Sequence, residues 1–473
     1  MNSVFFWAFV GQYLNVALKI LSTVILARLL TPSEIGVFAI GASILAIGLT
    51  FRTLGIQQYL IREANLSDEK IENAVFLSFV TTALLSAILF FGANFIGDFY
   101  NNDSLKSILY LLALSVLVLP FGLVAESKLK KDLHFKQIAG IETVATIAFT
   151  LVAIVLAYLN FGAFSLAIAT LVNQLTLIVG MNFCNKQSRI FLPIPTVNGL
   201  KEIGPAILRI GTSNILMTLG QQGEPLVVGK VINESAVAML DKSKAVIEML
   251  NLLVFTAIEK VLTPWFSQEN INNKTKFKDY LSLIDVTLSI SWPFLFYLAW
   301  YSEVIVITLY GNNWYQAVEL VPYACIGTAI FNVSRYFNNL MISLGYDSYL
   351  LRTTSILMLL RIIVLILSAP YGLIPMVIAL QSVVIIRLII TTYILIKIIS
   401  ISIINSLFIL VLKNLLVTVM ATAPIFFVEG ETELARLFIC LPLSLFLWLI
   451  GLLLVKSPLA IFLKEHAKCF IKR

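Results

Sequence analysis

The chain has 473 residues, of which 59% are hydrophobic and 12% charged, and its mean hydropathy is +0.94. Soluble domains are about 45–50% apolar and about 25% charged, so a soluble enzyme, a nucleic-acid-binding module, a disordered chain and a disulfide scaffold are all excluded. The excess of 33 Lys+Arg over 26 Asp+Glu, net +7, reads in so apolar a chain as basic cytoplasmic loops held beside an anionic leaflet.

A helix needs about 20 apolar residues to cross the hydrocarbon of a bilayer. Such runs fall at 4–27, 35–51, 73–97, 107–125, 138–158, 162–184, 205–228, 237–262, 279–302, 317–344, 353–369, 373–396, 404–427 and 434–455. The first lacks a basic n-region and a small-residue cleavage site, so it reads as a retained helix rather than a signal peptide. The sequence therefore predicts an all-α integral membrane protein with about 14 transmembrane helices.

Charge orients the stack. With the N-terminus inside, the inner loops hold Arg52, Arg62 and Lys70, then Lys128, Lys130, Lys131 and Lys136, then Lys274, Lys276 and Lys278. The outer loops keep little beyond Arg28, Lys106, Lys230 and Arg436. This bias and the even span count predict a multi-pass protein of the cytoplasmic (inner) membrane with both termini cytoplasmic. Connections such as 98–106, 303–316 and 428–433 are too short for a soluble domain. The four cysteines, Cys184, Cys325, Cys440 and Cys469, are scattered, and only His134 and His466 are histidines. Neither a disulfide framework nor a metal site is indicated, no cofactor is implied, and no GxxxxGK[ST] loop points to ATP drive.

An internal repeat organises the spans. Val24-Ile-Leu-Ala-Arg28-Leu-Leu-Thr-Pro-Ser33 and Leu226-Val-Val-Gly-Lys230-Val-Ile-Asn-Glu-Ser235 share an aliphatic run, a small residue, a base, two aliphatics, a turn and a serine. Six spans separate the copies, the spacing of a parallel repeat of two six-helix lobes with a substrate path between them. The expected division is 1–204 for the first lobe and its cytoplasmic link, 205–396 for the second lobe, and 397–473 for two C-terminal helices and a basic tail.

The segment ARLLTPSEIGVFAI at 27–40 resembles the signature of the polysaccharide transport family, in the multidrug/oligosaccharidyl-lipid/polysaccharide exporter superfamily. ESKLKKDLHFKQIAGIE at 126–142 is similar to that family's basic link after span four. LVVGKVI at 226–232, TPWFSQ at 263–268 and GYDSYLLR at 345–352 resemble its later marks. In the second copy Asn233-Glu234 stands where the first has Thr-Pro, and Ala238 replaces the glycine. The resemblance implies a flippase for polyprenyl-diphosphate-linked sugars, such as O-antigen or exopolysaccharide repeat units. It also implies two six-helix lobes with two appended helices.

Ionisable groups at membrane depth usually face a cavity or a partner, and several here fall in helical register. Gln12, Asn15, Lys19 and Ser22 share a face of span one, which either lines a cavity or packs as a hydrogen-bonded stripe. Asp241, Lys244, Glu248 and Asn251 share a face of span eight with Lys242 beside it, as a lumen or as an internally neutralised network. Asn332, Arg335 and Asn339 share a face of span ten, where Arg335 meets either another helix's carboxylate or a phosphate. Arg361 prompts the same argument, Arg209 and Glu224 belong with this set, and Arg387 reads as snorkelling to headgroups.

Lys19, Arg209, Lys242, Lys244, Arg335 and Arg361 would make a cationic lumen suited to a diphosphate. Asp241, Glu248 and Glu224 are the candidate ion-coupling acids, and Gln12, Asn15, Asn251, Asn332 and Asn339 the polar lining. The expected function is alternating-access translocation of a lipid-linked oligosaccharide, coupled to an ion gradient. Its partners are the lipid-linked oligosaccharide, membrane lipids and a glycan polymerase or assembly machinery, with no nucleic acid. The rivals are a multidrug or organic-cation antiporter of the same superfamily and a membrane-bound glycan polymerase or ligase.

Overall fold

The structure, a computed structural model, describes residues 2–52, 56–57, 60–61, 67–184, 218–255, 273–398, 402–428, 430, 432–461 and 464. Among them there is helix and no strand. That follows from the sequence: in hydrocarbon each backbone N–H and C=O must bond within its own segment, which a helix alone achieves for an isolated stretch. Polar residues mark the ends. Ser67 accepts a hydrogen bond from the Lys70 amide and Asn102 one from Leu105, while Thr432 accepts one from Ala435. Each satisfies an otherwise orphaned first-turn N–H.

Eleven helices among the described residues are long and apolar enough to cross a membrane, or twelve if one bent pair counts as a single span. The expected fourteen is not confirmed. Helix 218–231 and Glu234–Leu250 fall where spans seven and eight are expected, but those spans run on into residues outside the described set.

Three elements differ from the sequence expectation. Span four is not straight: Asp103–Leu117 and 120–131 are bent by 53°, because Pro120 withholds an N–H from the helix ladder. Span ten is interrupted, with Tyr315–Val333 and Phe337–Ser343 separated by Ser334, Arg335 and Tyr336. The outer connection 303–316 is mostly helical: Ser302–Tyr310 forms a short apolar helix with Glu303 in its first turn, and Gly311 ends it at a φ of 97°.

The chain divides into two compact units, Met1–Met239 and Leu240–Arg473. In the first, Asn2–Leu29 packs on Phe135–Tyr158, which packs on Phe164–Cys184, while Asp68–Tyr100 packs on Asp103–Leu117. The two copies of the repeated turn meet in this unit. The Ser33 hydroxyl donates to Glu234 Oε1 at 3.1 Å, and a Cβ added to Gly36 would lie 1.8 Å from the Glu234 carbonyl oxygen. Only glycine allows that approach. The Tyr100 hydroxyl donates to the Leu226 carbonyl at 3.0 Å, and Lys230 donates to the Phe99 carbonyl while covering the Phe99 ring.

In the second unit, Asn273–Trp300 is central, packed against Tyr315–Val333 and Ser402–Thr422. Its core gathers Tyr280, Ile284 and Leu288 with Tyr336, Leu340 and Met341. In both units large apolar side chains such as Leu84, Phe91, Phe95, Ile389 and Leu445 point outward, as expected of surfaces solvated by lipid rather than water.

Candidate functional site

The strongest polar constellation in the second unit forms where two helical irregularities meet. Glu234–Leu250 is followed by a π-helical turn, Asn251–Phe255, a local widening that recurs at functional sites. Tyr315–Val333 stops at Ser334, and the break is bridged by short bonds from the Ser334 amide to the Phe331 carbonyl and from the Phe337 amide to the Ser334 carbonyl. Arg335 stands in this break. Its Nη1 donates to Asn251 Oδ1 at 3.0 Å and to Asn332 Oδ1 at 3.2 Å, and its guanidinium carbon lies 4.5 Å from the Phe255 ring centre. The π turn thus supplies both an amide acceptor and an aromatic face, four residues apart on one side of the helix.

Asn332 is fully buried, and its Nδ2 has no hydrogen-bond partner among the described residues. A buried amide donor left unmade is costly in a dry interior. Its Oδ1 already faces the guanidinium, so the Asn332 side chain is committed on one end and open on the other. Asn339 lies one turn beyond the break and is half-buried.

Higher on the Glu234–Leu250 helix the arrangement is different. Lys242 is buried, with its Nζ 3.5 Å from Asp241 Oδ2 and 5.9 and 5.8 Å from the ring centres of Tyr310 and Trp314. The aromatic rings come from the short Ser302–Tyr310 helix and the turn after it. Their faces attract the ammonium group in place of part of its water. Burial, followed by the Asp241 charge, pushes the Tyr310 hydroxyl up to about 12, so it stays neutral beside Lys242. Asp241 and Glu248 are exposed and Lys244 is half-buried.

In the first unit, Lys19 is exposed on Asn2–Leu29 while Gln12 is half-buried and Asn15 and Ser22 are buried. Asn15 Oδ1 and Ser22 Oγ have no partner among the described residues. Lys19 stands between these two positions along the helix and is exposed. Glu224 is buried, Arg361 is half-buried, and Arg209 lies outside the described residues.

The structure therefore brings Asn251, Asn332 and Arg335 together and sets Asp241 beside Lys242. Arg387 does not snorkel: its guanidinium carbon lies 4.5 Å from the Phe331 ring centre, because that face gives the charge a partner inside the protein. Sequence reasoning missed Phe255, Tyr310 and Trp314 as cation partners. Phe255 had a usable signal in its four-residue spacing from Asn251, whereas the other two come from a connection read as a loop. It also missed Asp285, an acid in the middle of an apolar run. Cys184, Cys325 and Cys440 are free thiols.

Comparison with known proteins gives the family. A family model described as "Polysaccharide biosynthesis protein" matches residues 25–319. Lipopolysaccharide biosynthesis protein WzxC of Escherichia coli (strain K12) is 22% identical over 343 residues, covering 71% of this chain and 68% of its own. Teichuronic acid biosynthesis protein TuaB of Bacillus subtilis (strain 168) is 18% identical over 326 residues, 67% of this chain and 65% of its own.

Among solved structures, lipid II flippase MurJ in an inward closed conformation superposes with a TM-score of 0.79 at 14% identity, covering 99% of this chain and 100% of that one. A MATE family multidrug resistance transporter of the MOP superfamily, inward-facing, gives 0.58 at 14% identity over 81% and 94%. At such identities these two likenesses speak for the fold, which is that of the superfamily the sequence motifs resemble. The family match covers well over half of a chain built from membrane-length helices, and the protein thus belongs to the polysaccharide biosynthesis protein family as a multi-pass membrane protein of MurJ-like fold.

Proposed function

We propose that the protein is a flippase that carries polyprenyl-diphosphate-linked oligosaccharide units across the cytoplasmic membrane, with both termini in the cytoplasm. One observation carries the reading: a chain of the polysaccharide biosynthesis family consists, in its described residues, almost wholly of membrane-length helix. Its curated relatives are named for lipopolysaccharide and teichuronic acid biosynthesis, and its full-length structural likeness is to a lipid II flippase.

The physical task is to move a sugar head and its diphosphate through about 30 Å of hydrocarbon. A charge at the bilayer centre is expensive unless a polar group meets it. Arg335 is the group assigned to the diphosphate. Arg335 is held by amides and an aromatic face, so its fork is oriented before cargo arrives. In the first unit, Lys19 is a second cation, exposed on a helix where Asn15 Oδ1 and Ser22 Oγ have no hydrogen-bond partner among the described residues. The sugar-bearing head travels with the diphosphate, while the polyprenyl tail stays in lipid. A glycan polymerase or assembly machinery is the expected consumer on the far side.

The second reading, an organic-cation antiporter, is favoured by the MATE likeness. It predicts acids as the cargo-facing charges, where the flippase reading takes Arg335 and Lys19. The discriminating experiment is reconstitution in vesicles with a fluorescent polyprenyl-diphosphate oligosaccharide and, separately, a fluorescent organic cation. Protein-dependent access of a soluble sugar-oxidising reagent to the inner-leaflet glycan supports the flippase; efflux of the dye without glycan movement replaces it with the antiporter. Orientation has its own check: single cysteines at Asn102 and Asn313 should label from outside the cell and one at Lys130 should not. The reverse pattern overturns the topology.

A further inference from the structure

The Asn273–Trp300 helix carries a charge that the cation-lumen reading does not use. Asp285 is its thirteenth residue, about 18 Å from the start of a helix rising about 1.5 Å per residue, near the middle of the 275–300 span. It is 9% exposed, and its Oδ1 accepts a hydrogen bond of 2.7 Å from Nδ2 of Asn414 on Ser402–Thr422. Asn414 also donates to its own Leu410 carbonyl at 2.9 Å, which fixes the amide with its NH2 group toward Asp285.

This contact is one of several polar contacts joining Asn273–Trp300 and the turn residue Tyr301 to the last two long helices. The Trp448 indole donates to the Ser289 carbonyl at 2.7 Å, Tyr297 bonds the Ser444 hydroxyl, and the Tyr301 hydroxyl donates to the Cys440 sulfur. Those contacts are neutral. A serine or asparagine at 285 would complete the set without burying a carboxylate, whose desolvation a single amide bond does not repay. Buried carboxylates at membrane depth are where transporters keep their protons.

We propose that Asp285, with Asn414 as its partner, is the proton-binding group through which transport is coupled to the proton gradient. This rests on the transporter reading above and names its coupling site. In the ionised state Asp285 accepts from the Asn414 amide. One proton taken from the outer aqueous phase onto Oδ2 converts the carboxylate to a neutral acid, whose Oδ1 still accepts from Asn414 but without the negative charge that strengthened the bond. With that contact weakened and a new O–H to place, Ser402–Thr422 reseats on Asn273–Trp300. Release of the same proton to the cytoplasm restores the first state.

The charged group acting on Asp285 from the partner helix is Lys413, itself exposed. Tyr315–Val333 brings only Glu319, one turn from its outer end. Ser302–Tyr310 brings only Glu303 in its first turn, Phe337–Ser343 has no charged residue, and Glu433–Leu454 has Glu433 and Arg436 in its first turn. On its own helix Lys274, Lys276, Lys278 and Asp279 stand at the opening turns.

The test uses the full chain in lipid nanodiscs and in vesicles. Infrared difference spectra between acidic and alkaline buffer should show a carboxylic acid C=O band in the wild type. It should vanish in Asp285→Asn, which keeps an amide-to-oxygen bond at the site, and return shifted in Asp285→Glu. In vesicles, an imposed proton gradient should speed glycan-lipid movement severalfold for the wild type and Asp285→Glu. It should leave Asp285→Asn at its ungraded rate, with downhill exchange within about threefold of wild type. Equal stimulation of Asp285→Asn, or persistence of the band, overturns the proposal and leaves Asp285 a structural hydrogen-bond acceptor. If the wild type moves no glycan lipid at all, the flippase reading falls, and the band by itself still decides whether Asp285 takes up a proton.

Discussion

The first unit breaks a helix at Leu119–Gly122 and the second breaks one at Ser334–Tyr336, and the two breaks are built from opposite materials. In the first, Pro120 removes a ladder hydrogen bond and the surroundings are apolar: Leu119 and Pro120 are buried, and Phe121 meets Phe79 edge to face at 5.2 Å. No charged residue stands between Ser107 and Glu126. In the second, neither proline nor glycine occupies the break. The nearest proline, Pro322, sits well inside the preceding helix. There the interruption is made by Asn332, Ser334 and Arg335, and Asn251 and Phe255 of the π turn close around the guanidinium. A proline break is a matter of backbone geometry and does not need its side-chain neighbours to be polar. A polar break at membrane depth is expensive to maintain and persists where it serves a charge.

The largest expected effect comes from reversing that charge. Arg335→Glu should abolish glycan export, Arg335→Ala should lose most of it, and Arg335→Lys should keep part, because charge survives while the planar fork does not. Loss of a charged contact is on the order of 1.5–3 kcal/mol, roughly a tenfold to hundredfold effect. Export in cells, at matched membrane abundance of each variant, is the measurement. Normal export from Arg335→Glu would remove Arg335 from the cargo path. Loss of the protein itself in Ala and Glu alike would assign it to a buried structural network.

The next effect sharpens the same site by separating its two amides. Asn251→Leu removes an acceptor at 3.0 Å from the guanidinium without removing any orphaned group, so it should lower export about fivefold, equivalent to about 1 kcal/mol. Asn332→Leu removes an acceptor at 3.2 Å but also a buried Nδ2 that has no partner among the described residues. The two changes offset, and thermal stability in detergent should hold or rise slightly while export falls less than for Asn251→Leu. A larger loss for Asn332→Leu would mean that its open Nδ2 contacts the cargo.

How far the sequence went depends on whether a feature has a one-dimensional trace. Span length does, which is why the runs at 73–97, 138–158 and 373–396 lie within observed helices. The bend at Pro120 also had one, in the proline. The break at Arg335 had none, since Asn-Val-Ser-Arg-Tyr reads as a continuing amphipathic turn. The nine-residue helix Ser302–Tyr310 is too short to register as a span, yet it and the turn after it deliver Tyr310 and Trp314 to Lys242. Helical register at span eight placed Asp241, Lys244, Glu248 and Asn251 on one face with Lys242 beside it. The structure buries Lys242 and leaves Asp241 and Glu248 exposed, because the aromatic neighbours that receive the ammonium come from a segment some 70 residues away. Arg387 is the same lesson in reverse: a position near a helix end suggested headgroups, and Phe331 supplied a partner that only packing reveals.

The smallest expected effect falls on the apolar break. Pro120→Ala restores an N–H where the chain bends by 53°. Substitutions of this kind shift stability by about 0.4–1 kcal/mol when the native conformation tolerates the new residue. The bend is also held by the burial of Leu119, by Phe121 against Phe79, and by Gly122, where a Cβ would stand 3.0 Å from Ile178. Alanine therefore inherits a bend that its neighbours still enforce. The variant should unfold within a few degrees of wild type, and export should stay within about fivefold, the rate equivalent of about 1 kcal/mol. Thermal unfolding followed by tryptophan fluorescence, together with export at matched abundance, reads both quantities. If Pro120→Ala stays folded but loses export as fully as Arg335→Ala, the apolar break is itself a moving part, and the two breaks do the same work by different chemistry.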